Sequence, residues 1–255
     1  MAKGSRGGKT SGNTASARST QQTQPQAQPQ AQPQVQPQAQ PAVQQGPESY
    51  SSFTDRDAQA LRQAMDANYS DPDVAAAIKM YISNSNPNRD GYSHSQNLNY
   101  KLDHGVPLNA TEKYIDDNIR YGMHAIGKDS NLVRYAHDDV LQQLGVKDYT
   151  KLTQAQLQQR LVGQTGTTTS YLSTTYDGKS SPFAPGQPQG GGREVVLNVR
   201  ANRNTRMVFG AKKQKEIVLD KGTNFRVVGV HYDGTYAHPR NGGTKPRVVV
   251  DIETY

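Results

Sequence analysis

Hydrophobic positions recur every three or four residues in the first half of the chain after residue 50, and every second residue, or in short runs, in the second half. Thr54-Asp55-Arg56-Asp57 has the form of a capping box and opens a predicted helix through Leu61 and Met65. Ser70-Asp71-Pro72 starts a second, with Val74, Ile78, Tyr81 and Ile82 on one face, and Asn84 to Asp90 breaks it. Ser93 to His104 reads as a third, closed by Gly105, with Leu98 and Leu102 at i, i+4 spacing. Thr111 is expected to cap a fourth carrying Ile115, Ile119 and Met123. From Leu132 the period changes, and β-rich runs fall at 132–135, 168–172, 194–199, 206–209, 216–219, 225–232 and 247–252. Helical stretches around Asp138–Leu144 and Gln154–Val162 separate the first two. Helices first and a mostly antiparallel sheet afterwards predict an α+β domain.

The first 48 residues fit neither period. Residues 1–20 have almost nothing apolar after Met1, and from Pro25 to Pro41 a Pro-Gln-Ala-Gln unit repeats, with Val35 as its one variation. Such a segment cannot bury enough area to offset its ordering entropy, so it is expected to be disordered. Its prolines make residues 21–47 a semi-rigid spacer of roughly 80 Å at about 3.1 Å per residue. The expected organisation is therefore a basic, Pro/Gln-rich tail at 1–48 and one folded domain at 49–255.

Charge adds less than the total suggests. The net charge is +7, but Lys3, Arg6, Lys9 and Arg18 supply four of these with no acid before Glu48, which leaves +3 for the rest. Nucleic acid is thus an expected partner only through the tail, as is an acidic surface; a plainly solvated tail is the alternative. The absence of cysteine excludes disulfides and thiolate metal sites. No apolar run approaches the roughly 18 residues a membrane helix needs, and no apolar stretch follows the basic N-terminus as in a secretory signal. A cytoplasmic protein, or one delivered by a secretion system or a virion, is expected, and a monomer.

Three short pieces carry the candidate chemistry. Arg134 stands in Leu132-Val133-Arg134-Tyr135, Ser173 in Tyr171-Leu172-Ser173-Thr174-Thr175, and Glu216 in Gln214-Lys215-Glu216-Ile217-Val218-Leu219. Each is polar at the edge of an apolar, strand-like run. In order and spacing they resemble the arginine, the Ser-Thr-Ser element and the Glu/Gln-x-Glu element of the mono-ADP-ribosyltransferase exoenzymes, including the clostridial Rho-modifying exoenzymes and binary-toxin catalytic domains. Ala77-Ile78-Lys79-Met80-Tyr81 and Asn97-Leu98-Asn99-Tyr100-Lys101-Leu102 look like that family's helical lead-in, so the likeness covers about Val74 to Glu253.

The resemblance implies a helical half packed on a mixed, mostly antiparallel β-sandwich, and transfer of ADP-ribose from NAD to a protein acceptor with release of nicotinamide. By that likeness Arg134 would hold NAD phosphate and ribose, with Thr174, Thr175 and Asn99 in the cofactor-binding set. Ser173 would orient Glu216, Glu216 would stabilise the oxocarbenium-like ribose, and Gln214 would help select the acceptor. Phe183 and Arg193 would belong to the loop covering the nicotinamide. Two departures stand out: Thr175 replaces the second serine, and Phe183 is separated from Arg193 by Pro185 and a Gly/Gln run. The chemistry is consistent in itself, because breaking the nicotinamide–ribose bond needs a carboxylate near developing positive charge, a guanidinium fork for pyrophosphate and a hydroxyl to fix the carboxylate. A non-catalytic module that keeps this fold, with the tail as its working part, is the other reading. Asp116-Asp117 and Asp138-Asp139 are expected to offset helix dipoles, and His104, His124 and His137 to lie on the surface.

Overall fold

A computed structural model describes residues 50–83, 92–185, 193–237 and 243–255, with the side chains of 66–69 excepted. The 1–48 tail, the helix break at Asn84–Asp90 and the glycine run at 190–192 lie outside the described residues.

The helices follow their local signals. Helix α1 (Asp55–Tyr69) begins with a reciprocal pair, the Asp57 amide donating to the Thr54 hydroxyl and the Thr54 amide to the Asp57 carboxylate. In α2 (Pro72–Ile82), Asp71 accepts from the amides of Asp73 and Val74. A capping box on Ser93 opens α3 (His94–His104), and Gly105, at φ 63°, closes it in the left-handed conformation that costs glycine least. The fourth helix departs from expectation. Asn109, not Thr111, caps α4 (Ala110–Tyr121), because the residue three beyond Asn109 is Glu112, which returns a carboxylate to the cap amide. Three beyond Thr111 stands Tyr114, which offers no such acceptor. Met123 falls past the end of α4 but is still buried. Two short helices follow later, α5 (Asp139–Gln143) and α6 (Gln154–Leu161).

Ten strands are described: β1 (Ser51–Ser52), β2 (His124–Ala125), β3 (Ser130–Ala136), β4 (Thr165–Thr167), β5 (Leu172–Thr175), β6 (Val195–Ala201), β7 (Arg206–Phe209), β8 (Glu216–Leu219), β9 (Asn224–Ala237) and β10 (Thr244–Thr254). Nine run in the order β2-β7-β8-β5-β3-β6-β10-β9-β4, and β1 pairs with β3. Among the described strands only β1/β3 and β6/β10 are parallel. The expected mixed, mostly antiparallel sheet of an α+β domain is thus present, as one open, continuous path. That path narrows at β3/β5 to one residue pair, Val133 with Thr175. On one side lies the block β2-β7-β8-β5, on the other β3-β6-β10-β9-β4.

One core joins the two blocks. Met207, Phe209, Ile217 and Leu219 from the first block share a cluster with Leu132, Val195, Leu197, Val199, Val248 and Val250 from the second. The alternate residues Val208 and Val218 pack with Val74, Ile78, Tyr81, Leu98, Ile115, Ile119 and Tyr171 in a second cluster under the helices. Strands β7 and β8 are therefore buried on both faces, which is why Ile217-Val218-Leu219 is continuously apolar. Each such side chain contributes about 1.5–3 kcal/mol by leaving water.

Of the predicted run 168–172, only Leu172 is in a strand, as the first residue of β5, and 168–171 are not. That segment carries the chain from β4 in one block to β5 in the other, and its hydroxyls are spent on the crossing. The Thr168 hydroxyl donates to the Asp220 carbonyl, and the Thr169 hydroxyl to Asp103. The β-forming composition of this segment serves side-chain bonds and not a ladder.

Candidate active site

The narrow join between the two blocks is where the candidate residues meet. On β3, Leu132, Arg134 and Ala136 share a face, and the two neighbours are buried at 1% and 7% exposure. An arginine in a core-facing position needs a reason. Its Nη1 crosses to β5 and donates to the Ser173 carbonyl at 3.0 Å, while its buried Nε has no partner. The guanidinium thus spends one donor on β5 and keeps a buried one unpaired.

On β5 and β8, Ser173 pairs with Val218 and Thr175 with Glu216, so Ser173 and Glu216 share the face turned to the helices. There the hydroxyl of Tyr81, fully buried on α2, lies beside Ser173 and accepts from Asn99 Nδ2 at 3.1 Å. Burial pushes the Tyr81 pKa up, and Glu216 pushes in the same direction, against Ser173, Asn99 and Arg134. Asn99 also donates to the Tyr171 carbonyl, and its own buried Oδ1 is unpartnered. Tyr81 was legible in sequence only as a helix-face position.

The carboxylate of Glu216 is held from the other side. Its Oε2 accepts the Ala211 amide at 2.8 Å, and the backbones of Gly210 and Glu216 are bonded at 3.0 Å. A Cβ on Gly210 would stand 2.3 Å from Glu216 Oε2, so the carboxylate occupies space that only a glycine leaves open. Gln214 ends a 3-10 turn at Lys212–Gln214.

The remaining candidates divide. The Thr174 hydroxyl is buried and donates to the Ile217 carbonyl, so it ties β5 to β8, and the residue also lines the smaller recess beside Ser173. Thr175 is also committed, its hydroxyl shared between the carbonyls of Gln214 and Asp177 at 2.9 Å each. It fixes the 211–215 loop against β5. The guanidinium of Arg193 stands 4.2 Å from the Phe183 ring centroid, so the two residues meet despite the intervening run.

These groups line a cavity of about 970 Å³ bounded by Tyr81, Asn99, Arg134, Ser173, Phe183, Arg193, Gln214 and Glu216. A smaller recess of about 140 Å³ lies between Arg134, Ser173, Phe183, Gln214 and Glu216. The larger volume is at the upper end for small-molecule and cofactor sites. Outside this group, Asp116 is not a dipole partner. It lies within α4, buried, accepting from the Tyr171 hydroxyl at 2.7 Å and from Lys221 at 2.6 Å. His137 Nδ1 bonds the buried Glu194, and His104 Nδ1 bonds the Tyr100 carbonyl.

The architecture has solved counterparts. The chain superposes on the Clostridium limosum C3 exoenzyme with a TM-score of 0.54, at 15% identity, covering 82% of this chain and 98% of that one. The chain has the fold of the ADP-ribosyltransferase toxins. The enzymatic component C2-I of the Clostridium botulinum C2 toxin matches at TM-score 0.53 and 15% identity, over 76% of this chain and 46% of that longer one. C3stau2 of Staphylococcus aureus, solved with NAD, matches at 0.52 and 14%, over 81% and 98%. At these identities the likeness is one of fold. No protein-family model matches the sequence, and no curated protein matches it significantly. The exoenzyme resemblance read from three short motifs therefore agrees with the fold. Among the described residues no helix is long and apolar enough to cross a membrane.

Proposed function

We propose that residues 49–255 form a mono-ADP-ribosyltransferase domain that takes ADP-ribose from NAD to a protein side chain. One observation carries this reading: a carboxylate, a hydroxyl and a guanidinium with an unspent buried donor converge from three strands on one cavity. The fold shared with a protein solved with NAD supports it.

In this reading Arg134 binds the pyrophosphate and adjoining ribose with the guanidinium donors that the Ser173 carbonyl does not take. The bond between ribose C1′ and the nicotinamide nitrogen breaks, and neutral nicotinamide leaves with the electron pair. Positive charge develops on the ribose, where the Glu216 carboxylate stabilises it. Ser173 keeps that carboxylate in place and itself lies beside Tyr81 on α2. The acceptor then bonds to C1′ and gives up a proton. Phe183 and Arg193 cover the nicotinamide end.

Gln214 favours an uncharged acceptor such as an amide side chain, since an amide offers both a donor and an acceptor where a carboxylate would pair with arginine. Lys212 and Lys213 are exposed beside it and favour an acidic target face. Lys215 does not join them, being bound to Asp55 and Asp177. Incubation with labelled NAD tests the whole reading. Nicotinamide release or protein labelling is expected; binding without turnover would leave a non-catalytic module. Labelling mapped mainly to arginine would overturn the acceptor assignment.

A further inference from the structure

Lys215, next to Glu216, is unusual in its backbone. Among the described residues it is the one non-glycine residue with positive φ, at 48°, in the left-handed region that L side chains seldom adopt. Its side chain shows what holds it there. The ammonium lies 2.9 Å from Asp55, at the start of α1, and 3.4 Å from Asp177, in the turn after β5. It also stands 5.8 Å from the Tyr176 ring centroid. The Tyr176 hydroxyl donates to the other oxygen of Asp55, and its ring meets Phe53 edge-on at 5.4 Å. The backbone is tied as well, with the Lys215 carbonyl accepting the Tyr176 amide and the Lys215 amide donating to the Lys212 carbonyl. One side chain thus joins the first helix, the turn beyond β5 and the 211–215 loop.

We infer that Lys215 is a positioning residue, a clamp that fixes the 211–215 loop and through it the Glu216 carboxylate. The inference rests on the transferase reading for its catalytic consequence. The loop it closes delivers the Ala211 amide to Glu216 and carries Gln214, whose carbonyl Thr175 holds. The bonds of Lys215 run to Asp55, Asp177 and the 211–215 loop, while Arg134 is held by the Ser173 carbonyl. Its loss should therefore lower the rate of the chemical step and leave the binding of NAD alone.

The test uses Lys215→Gly, Lys215→Arg and the double variant Asp55→Asn/Asp177→Asn in the full chain. Glycine adopts the left-handed backbone freely, so Lys215→Gly removes the ion pairs without adding strain. NAD hydrolysis is expected to show kcat down about tenfold with KM for NAD within about twofold. Lys215→Arg should restore wild-type kcat, and the double asparagine variant should match Lys215→Gly. Trypsin supplies an independent readout, because Lys212 and Lys213 lie in the loop: cleavage after them should quicken at least about fivefold when the clamp is lost. Wild-type kcat together with wild-type cleavage in Lys215→Gly would overturn the inference, and so would failure of Lys215→Arg to restore kcat. If the wild-type chain does not turn over NAD, the transferase reading falls, and the cleavage rates alone decide the clamp.

Discussion

Arg134, Ser173 and Glu216 stand on strands, whereas Phe183, Arg193 and Gln214 stand in turns and loops, and the two groups are held in different ways. Each strand residue has its backbone in a ladder and its neighbours in the core: Arg134 between Leu132 and Ala136, Glu216 ahead of Ile217, Val218 and Leu219. Of the loop residues, Phe183 and Arg193 meet through a side-chain stack, and Gln214 is held by its backbone in a short turn that the Thr175 hydroxyl bonds. In the transferase reading, charge that must meet a developing charge at fixed distance is carried on the rigid part. Surfaces that must admit and release a substrate are carried on the part whose contacts are individually worth little. The contrast makes a ranking: changes on the strand side should cost far more than changes on the loop side.

The largest effect is expected from Glu216→Gln, which keeps shape and removes charge. Turnover of NAD should fall at least about 100-fold with little loss of affinity, the scale of one preorganised electrostatic group. Turnover within a fewfold of wild type would remove Glu216 from the chemistry. Gly210→Ala comes next. Its methyl would occupy the position of Glu216 Oε2, and displacing a carboxylate by about an ångström can cost up to about 100-fold in kcat. An unchanged kcat would show that the carboxylate tolerates a second position. Arg134→Lys keeps charge and loses the fork, so calorimetry should show NAD bound about tenfold more weakly. Equal affinity in a folded variant would make Arg134 structural.

On the loop side, Phe183→Ala removes the ring under Arg193, an exposed cation–π contact worth about 0.5–1 kcal/mol, and should weaken NAD binding only about two- to fivefold. A loss as large as that of Arg134→Lys would erase the contrast between the two supports. The smallest effect belongs to deletion of residues 1–46. With so few apolar side chains, their removal should shift the melting temperature by less than about 2 °C and turnover by less than about twofold. A fall in acceptor labelling with NAD hydrolysis intact would make the segment a targeting arm.

What could be read from the sequence followed the range of the interactions. Helix starts at Thr54, Asp71 and Ser93 are set within four residues and were legible there, as was the stop at Gly105. The capping of α4 was misplaced by two residues because two polar residues competed and only Glu112 decides between them. Arg134, Ser173 and Glu216 could be picked out because their order, spacing and strand-like flanks together resemble one family's pattern. Gly210 and Tyr81 could not, since their roles depend on side chains far along the chain: Gly210 yields space to Glu216, and Tyr81 reaches Ser173 across 92 residues. Thr174 and Thr175 show the converse. A motif fixes which residues stand together, but strand alternation puts Thr175 on the face of Ser173 and Glu216 and Thr174 on the other, and both hydroxyls are committed within the protein.

The place of β10 in the sheet has a consequence for how the protein is made. It lies between β6, to which it is parallel, and β9, so two ladders wait for residues 244–254. While a ribosome is still short of Thr244, both neighbours present unpaired edges, and the cluster that includes Val248, Val250 and Ile252 has a gap in its middle. The strand bearing Arg134 pairs with β6 and so leans on a sheet that is not yet closed. In the transferase reading the site would then be complete only once that strand is made, and a chain released before it would be both inactive and prone to aggregate.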